Sequence, residues 1–380
     1  MGLDVCIGDL NKTHAVARFA WVLLELDRTD FEIIVYNSKK MPAGDKMIDM
    51  VDKWVDVHEM NTEACVQAVV ADEIDILVDL AGFSLGNRLD IFSCAAAPVQ
   101  VTWIGYPNTT GLRSIHYRVT DAVTDPPGTT QQYAEKLIRL PDCFLCYAPA
   151  GLSKTLPPVA TPPFEKNGFI TFGSFNTILK VQDECVKLWC RVLNAVPNSR
   201  IVIKTASNIF SSPAICEEWY AKFEAHNISR QRVTLLAVSL KYWPHMEAYK
   251  HLDIALDSFP YNGTTTTVEA VLMGVPVLTL RSAKETCIHA HNVSAGILSA
   301  LGQPDWVAAT PDQYIDIAAT LASDTGRLGA LRAGLRDQFQ ASPLGDSAVG
   351  ALSFALLWRA CLALYSCGDS EVGPHTPILM

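Results

Sequence analysis

Residues 252–280 read "LDIALDSFPYNGTTTTVEAVLMGVPVLTL". "LDIALD" is an apolar run of strand type, "PYNG" is turn chemistry, and "VPVLTL" is a second strand-like run. Between the strands, a glycine and four consecutive threonines lead into an apolar stretch that predicts a helix over residues 266–273. Strand, turn, helix and strand at this spacing form one step of a parallel α/β sheet. The first turn of a helix has free N–H groups and roughly half a positive charge. The threonines are therefore either the cap of a buried helix or a seat for a diphosphate. For the second use, Gly263 allows close backbone approach and the hydroxyls of Thr264, Thr265 and Thr266 add donors. Glu269, one turn in, is placed to accept from ribose hydroxyls.

Working outward, the same rhythm recurs along the chain. Strands are expected at "LDVCIG", "FEIIVY", "IDILVDL", "VQVTWIG" and "YRVTD", with helices at residues 15–26 and 62–72. It restarts with "FITFGS", "RIVIK" and "RVTLLA" ahead of the opening stretch, with helices at 184–195, 214–226 and 246–251. Five prolines between Pro149 and Pro163 separate the two series and read as a connection between domains. The expected organisation is a first Rossmann-like domain over 1–148, a proline-rich linker over 149–167, and a second such domain over 168–365 with terminal helices. Residues 366–380 read as a flexible tail. Two such halves facing a cleft would hold a ligand there.

Composition narrows the function. Hydrophobic residues make up 49% of the 380 and charged residues 18%, as in a folded globular protein. The net charge is −10 with no basic block, which argues against a nucleic-acid surface. The 11 cysteines show no paired CxxC spacing, so neither a zinc site nor a disulfide framework is indicated. No apolar run reaches membrane-spanning length and no secretory signal is visible, so a cytoplasmic or nucleocytoplasmic protein is expected.

Other stretches place reactive side chains at strand ends. "TFGSFNTILK" closes the first strand of the second half with Asn176 and Lys180, and an ammonium there would neutralise a departing diphosphate. "DLNKTHAVARF" sets His14 at a helix start, where an imidazole can act as general base or hydrogen-bond partner. The loop "WIGYPNTTG", with Tyr106, Pro107, Asn108 and Thr109, is apt for lining a cleft. His245 precedes "MEAYKHL", and "HAHN" supplies His289, His291 and Asn292. For each, a solvated or structural role is the alternative. No two histidines have metal-ligand spacing, and no metal is expected.

Taken together, "APVQVTWIGYPNTTGL", "EKLIRLPDCFLCY", "FGSFNTILK", "LDSFPYNGTTTTVEAVLMGVPVLTL" and "HAHNV" resemble the catalytic region of the O-GlcNAc transferase/SPINDLY family. The resemblance runs from about residue 4 to about residue 358. It implies a GT-B glycosyltransferase with two Rossmann-like domains, transferring sugar from a nucleotide to Ser/Thr hydroxyls with inversion and without metal or other cofactor. By position it assigns His14 to the first active-site loop, Lys180 to the diphosphate and His245 to the neighbourhood of the base. It assigns Thr264, Thr265 and Thr266 to the phosphates and Glu269 to the ribose. Thr264, where O-GlcNAc transferases have histidine, leans the resemblance toward the SPINDLY type, an O-fucosyltransferase using GDP-fucose; UDP-GlcNAc is the alternative donor. The expected partners are a nucleotide sugar and Ser/Thr-containing proteins or peptides, with neither nucleic acid nor membrane. The superhelical repeats such enzymes carry ahead of this region are absent from the chain. Two other classes remain open, a sugar-nucleotide epimerase and a non-catalytic nucleotide-binding module.

Overall fold

The structure, a computed structural model, describes residues 2–5, 15–39, 48–147, 156–205, 207–237, 242–283 and 287–366. His14 lies outside the described residues, as does the tail from 367 onward. The chain divides into two compact units, one comprising residues 1–153 and 343–380 and the other residues 154–342.

In the first unit the chain forms β1 (Gly2–Val5), α1 (Ala15–Ala20), β2 (Glu32–Asn37), β3 (Lys53–Asp56), α2 (Thr62–Ala71), β4 (Ile76–Asp79) and α3 (Leu89–Ser93). It continues through β5 (Val99–Thr102), β6 (Tyr117–Asp121) and β7 (Lys136–Leu140). The seven strands are parallel in the order β3-β2-β1-β4-β5-β6-β7. Every residue of β4, β5 and β6 is buried, as befits a parallel sheet covered on both faces. Two strands absent from the sequence reading, β3 and β7, lie at the two edges. β3, "KWVD", is exposed at both ends and carries no apolar run.

The second unit begins with α4 (Pro163–Asn167), inside the stretch expected to be only a linker. Proline is tolerated there because the first turn of a helix has no use for its missing N–H. Asp253 then caps the turn, accepting from Phe164 N at 3.1 Å. After it come β8 (Thr171–Ser174), α5 (Asp183–Ala195), β9 (Arg200–Lys204), α6 (Pro213–Glu224), β10 (Val233–Leu236), α7 (Tyr242–Glu247) and β11 (Ile254–Leu256). The unit closes with α8 (Thr265–Leu272), β12 (Val277–Leu280), α9 (Val293–Ala300), β13 (Val307–Ala308), α10 (Pro311–Ser323) and α11 (Thr325–Gln340). Its six parallel strands run β10-β9-β8-β11-β12-β13. That is the doubly wound order of the first sheet, without a seventh strand.

The last helix, α12 (Ser347–Ser366), corrects the expected boundary, since it belongs to the first unit and not the second. Phe354, Leu357, Trp358 and Cys361 recur at helical spacing and are buried. The Phe354 ring lies 4.4 Å from that of Trp103, whose indole N–H donates to Phe144 O at 2.8 Å. A Cβ on Gly350 would come within 2.8 Å of both Cys146 Sγ and Val22 Cγ2, so the helix approaches as closely as it does only with glycine there.

Candidate nucleotide-sugar site

In the second sheet the strand order reverses between β8 and β11, and ligands of such sheets bind outside the carboxyl ends of the strands at the reversal. Lys180 ends a 3₁₀ turn (Ile178–Lys180) that follows β8. Its Nζ donates to Asn262 O at 2.7 Å and lies 4.0 Å from the centroid of the Tyr261 ring. Sequestering the ammonium lowers its pKa to about 8, against the pull of Asp257. Below that pH the group is a cation held at the turn that opens into α8.

Asp257, the residue after β11, organises this turn. Its Oδ1 accepts from Asn176 Nδ2 at 3.1 Å, Ser258 N at 2.9 Å and Gly263 N at 2.7 Å, and its Oδ2 accepts from Thr279 Oγ1 at 2.8 Å. Burial pushes its pKa up, opposed by these donors and by the charge of Lys180. A Cβ on Gly263 would meet Thr266 Oγ1 and Thr267 Oγ1 at 2.7 Å and Asp257 Oδ1 at 2.9 Å. No other residue lets the turn close this tightly on the helix.

The threonines divide by role. Thr264 holds the cap position but its side chain makes no cap hydrogen bond. The first intrahelical bond runs from Val268 N to Thr264 O at 3.2 Å, which leaves the amides of Thr265, Thr266 and Thr267 without a partner in the helix. Thr266 Oγ1 donates to Asn176 Oδ1 at 2.6 Å and buried Thr267 Oγ1 pairs with Ser294 Oγ at 2.8 Å. The hydroxyls of Thr264 and Thr265, both half-buried, have no hydrogen bond among the described residues. A small pocket lined by Ser174, Phe175, Asn176, Tyr249, Asp257 and Thr266 opens at the same strand ends.

Glu269 is 2% exposed and is held by His245, whose Nε2 lies 2.7 Å from Oε2. The other ring nitrogen of His245 is bonded to the Lys204 ammonium. Lys204 is 1% exposed at the end of β9, and burial lowers its pKa to about 8, against the pull of Glu269. Neither Lys204 nor Asp257 is singled out by the sequence reading. The one sign of Lys204 there is a cation closing the apolar run "RIVIK".

"HAHN" reaches the site through the backbone. His289–His291 is a 3₁₀ turn, and Ala290 O accepts from Asn262 N at 2.9 Å. His289 and Asn292 are buried, and Asn292 Oδ1 accepts from Ser282 Oγ at 3.2 Å. His291 is half-buried, which lowers its pKa. Tyr106, Pro107, Asn108 and Thr109 belong to the first unit. Arg118 there holds their loop by donating to Asn108 O at 2.7 Å and Tyr106 O at 2.8 Å. Thr109 Oγ1 donates to Glu135 Oε2 at 2.7 Å. Among the described residues, no group of three His, Cys, Asp or Glu side chains is placed to hold a metal, and no helix is long and apolar enough to cross a membrane.

The profile of Glycosyl transferase family 41 matches residues 14–153 and 165–351. A tomato (Solanum lycopersicum) protein named probable UDP-N-acetylglucosamine–peptide N-acetylglucosaminyltransferase SPINDLY is 40% identical over 364 residues, covering 94% of this chain and 38% of its own length. Its namesake from Arabidopsis thaliana is also 40% identical, covering 94% of this chain and 39% of its own. The chain thus spans about two fifths of the curated relatives it matches. Among solved structures, a mutant of the Thermobaculum terrenum O-GlcNAc transferase superposes with a TM-score of 0.87 at 30% identity, over 97% of this chain and 69% of that one. The fold is α/β of the GT-B type. With a family profile over most of its length and a relative 40% identical over 94% of it, the chain belongs to Glycosyl transferase family 41.

Proposed function

We propose that the protein transfers a sugar from a nucleotide sugar to Ser/Thr hydroxyls of proteins or peptides, with inversion. The observation that carries this reading is the meeting of two anion-binding devices at one turn. The Lys180 ammonium rests on Asn262 O, and the amides of α8 that have no partner within the helix begin a few residues later. In the reaction the acceptor oxygen bonds to the anomeric carbon as the bond from that carbon to the diphosphate breaks. The departing diphosphate gains charge, which Lys180 and the helix amides neutralise. The hydroxyl proton passes to a base, for which His14 is the candidate. Charge neutralisation by lysine and amides requires no metal.

For the donor, the first reading is fucose from GDP-fucose. Thr264 supports it, since it keeps a small hydroxyl where O-GlcNAc transferases resemble one another in having histidine. The names of the curated relatives favour the second reading, GlcNAc from UDP-GlcNAc. Calorimetric titration with GDP, UDP, GDP-fucose and UDP-GlcNAc separates the two. Tighter binding of the guanine pair is expected, and preference for the uracil pair would overturn the fucose reading. Binding of none of the four would remove the transferase reading itself.

A further inference from the structure

Three buried or half-buried side chains from three elements form a line beside α8. Lys204 comes from the end of β9, His245 from α7 and Glu269 from the second turn of α8. We propose that Lys204 is a positioning residue of the nucleotide site: by donating to Nδ1 of His245 it fixes the imidazole as the neutral Nε2–H tautomer, with that hydrogen aimed at Glu269. The proposal rests on the nucleotide-sugar reading above and adds to it a residue that does not itself touch the ligand.

An ammonium can only donate and a carboxylate can only accept, so an imidazole between them must accept at one nitrogen and donate at the other. Nδ1 faces Lys204 and Nε2 faces Glu269, which leaves one neutral tautomer consistent with both contacts. The reverse arrangement, an imidazolium between a neutral amine and the carboxylate, needs a lysine more acidic than the histidine. In that arrangement the amine would accept, which a guanidinium at position 204 cannot do, so the Lys204→Arg variant separates the two. Among the described residues, the titratable groups facing His245 are Lys204 from β9, Glu269 from α8 and Tyr249 from the turn after α7, and the Phe175 ring, one residue past β8, packs beside it. With the ring centroids of Phe175 and Tyr249 at 6.3 and 5.6 Å, the imidazole is one face of an aromatic cluster suited to a nucleoside. Without Lys204 the ring is free to flip or to take up a proton beside Glu269, and its hydrogen-bonding pattern toward a ligand becomes pH-dependent.

The first test uses the unmodified protein. Long-range ¹H–¹⁵N correlation of labelled imidazoles, with His245→Gln for assignment, is expected to show bare Nδ1 and protonated Nε2 at neutral pH. An Nδ1–H tautomer or an imidazolium at neutral pH would overturn the proposal. The second test compares Lys204→Met with Lys204→Arg. In the methionine variant, affinity for GDP and UDP should fall about two- to tenfold, the loss of one hydrogen bond. The same variant should acquire a pH dependence between about 6 and about 7, retain pyrophosphate binding, and lose more in KM than in kcat. Arginine should restore a flat profile. Unchanged nucleotide binding with methionine, parallel loss of pyrophosphate, or no rescue by arginine would each overturn it. A protein that binds no nucleotide at all refutes the reading of the site, whereas nucleotide binding with the wrong tautomer refutes this proposal alone.

Discussion

In each unit an aspartate stands at the carboxyl end of the fourth strand and gathers the same kinds of donor. Asp79, ending β4, accepts from Ala81 N and Gly82 N at 3.0 Å and from Thr102 Oγ1 of β5 at 2.7 Å. Asp257, after β11, accepts from Ser258 N, Gly263 N and Thr279 Oγ1 of β12. Burial raises both pKa values. The two aspartates lead into different turns. The turn after Asp79 closes at once, and the start of α3 is occupied by Arg88, which donates to Asp90 Oδ1 at 3.1 Å. The turn after Asp257 reaches six residues on to Gly263 and delivers the open first turn of α8, with Asn176 and Lys180 beside it. One scaffold device thus makes a closed corner in one sheet and, in the other, the open helix start that we propose as an anion seat. The chemistry lies in the segment the aspartate holds.

The comparison breaks hardest at Lys180. Lys180→Met should keep the melting temperature and lose transfer by about 10²–10³, as when one charge-stabilising donor is removed from an active site. In the parent, kcat/KM should fall as pH rises through about 8, because the ammonium present below that pH is lost above it. Lys180→Arg should carry the falling limb upward. A turnover near the parent's in the methionine variant would take Lys180 out of the mechanism.

The aspartates themselves should matter to folding in both units. Asp79→Ala and Asp257→Ala each strand three or more buried donors, and chemical denaturation should show losses of about 3–5 kcal/mol. The asparagine variants sharpen the contrast, since one carbonyl oxygen and the size are kept. Asp257→Asn should weaken nucleotide binding, and Asp79→Asn should leave it alone. Equal effects of the two on binding would mean that the corner in the first unit also serves the ligand.

The smallest expected effect separates the threonines. Thr265→Val removes a hydroxyl with no partner in the described structure and should cost about 1.5–3 kcal/mol of nucleotide affinity if it donates to phosphate. Thr266→Val instead strands Asn176 Oδ1, which is buried against Asp257, and should lower stability as well as affinity. Thermal shift with and without GDP or UDP reads both. Thr265→Val binding like the parent would reduce that threonine to part of the helix start.

Much of this was legible in the residues. Apolar strand runs, the proline-rich stretch and the Gly-Thr helix start derive from local chemistry, because backbone preference and periodicity act over a few residues. The edge strands β3, β7 and β13 were not legible, since short or mixed segments are told from loops only by the hydrogen bonds of a neighbouring strand. Glu269 was legible as an acid near the helix start but not as the partner of His245.

By itself, then, the sequence determined the α/β class, the family, and the presence of a lysine and a threonine-led helix start at strand ends. Tertiary structure alone decided that α12 returns to the first unit, since an apolar helix face carries no address for the surface that buries it. It alone brought Lys204, His245 and Glu269 into line from positions 41 and 24 residues apart. It also divided four chemically identical threonines into two that bond the interior and two with no side-chain hydrogen bond among the described residues. Hydrogen bonds between distant residues depend on distance and direction in space, and a one-dimensional pattern carries neither.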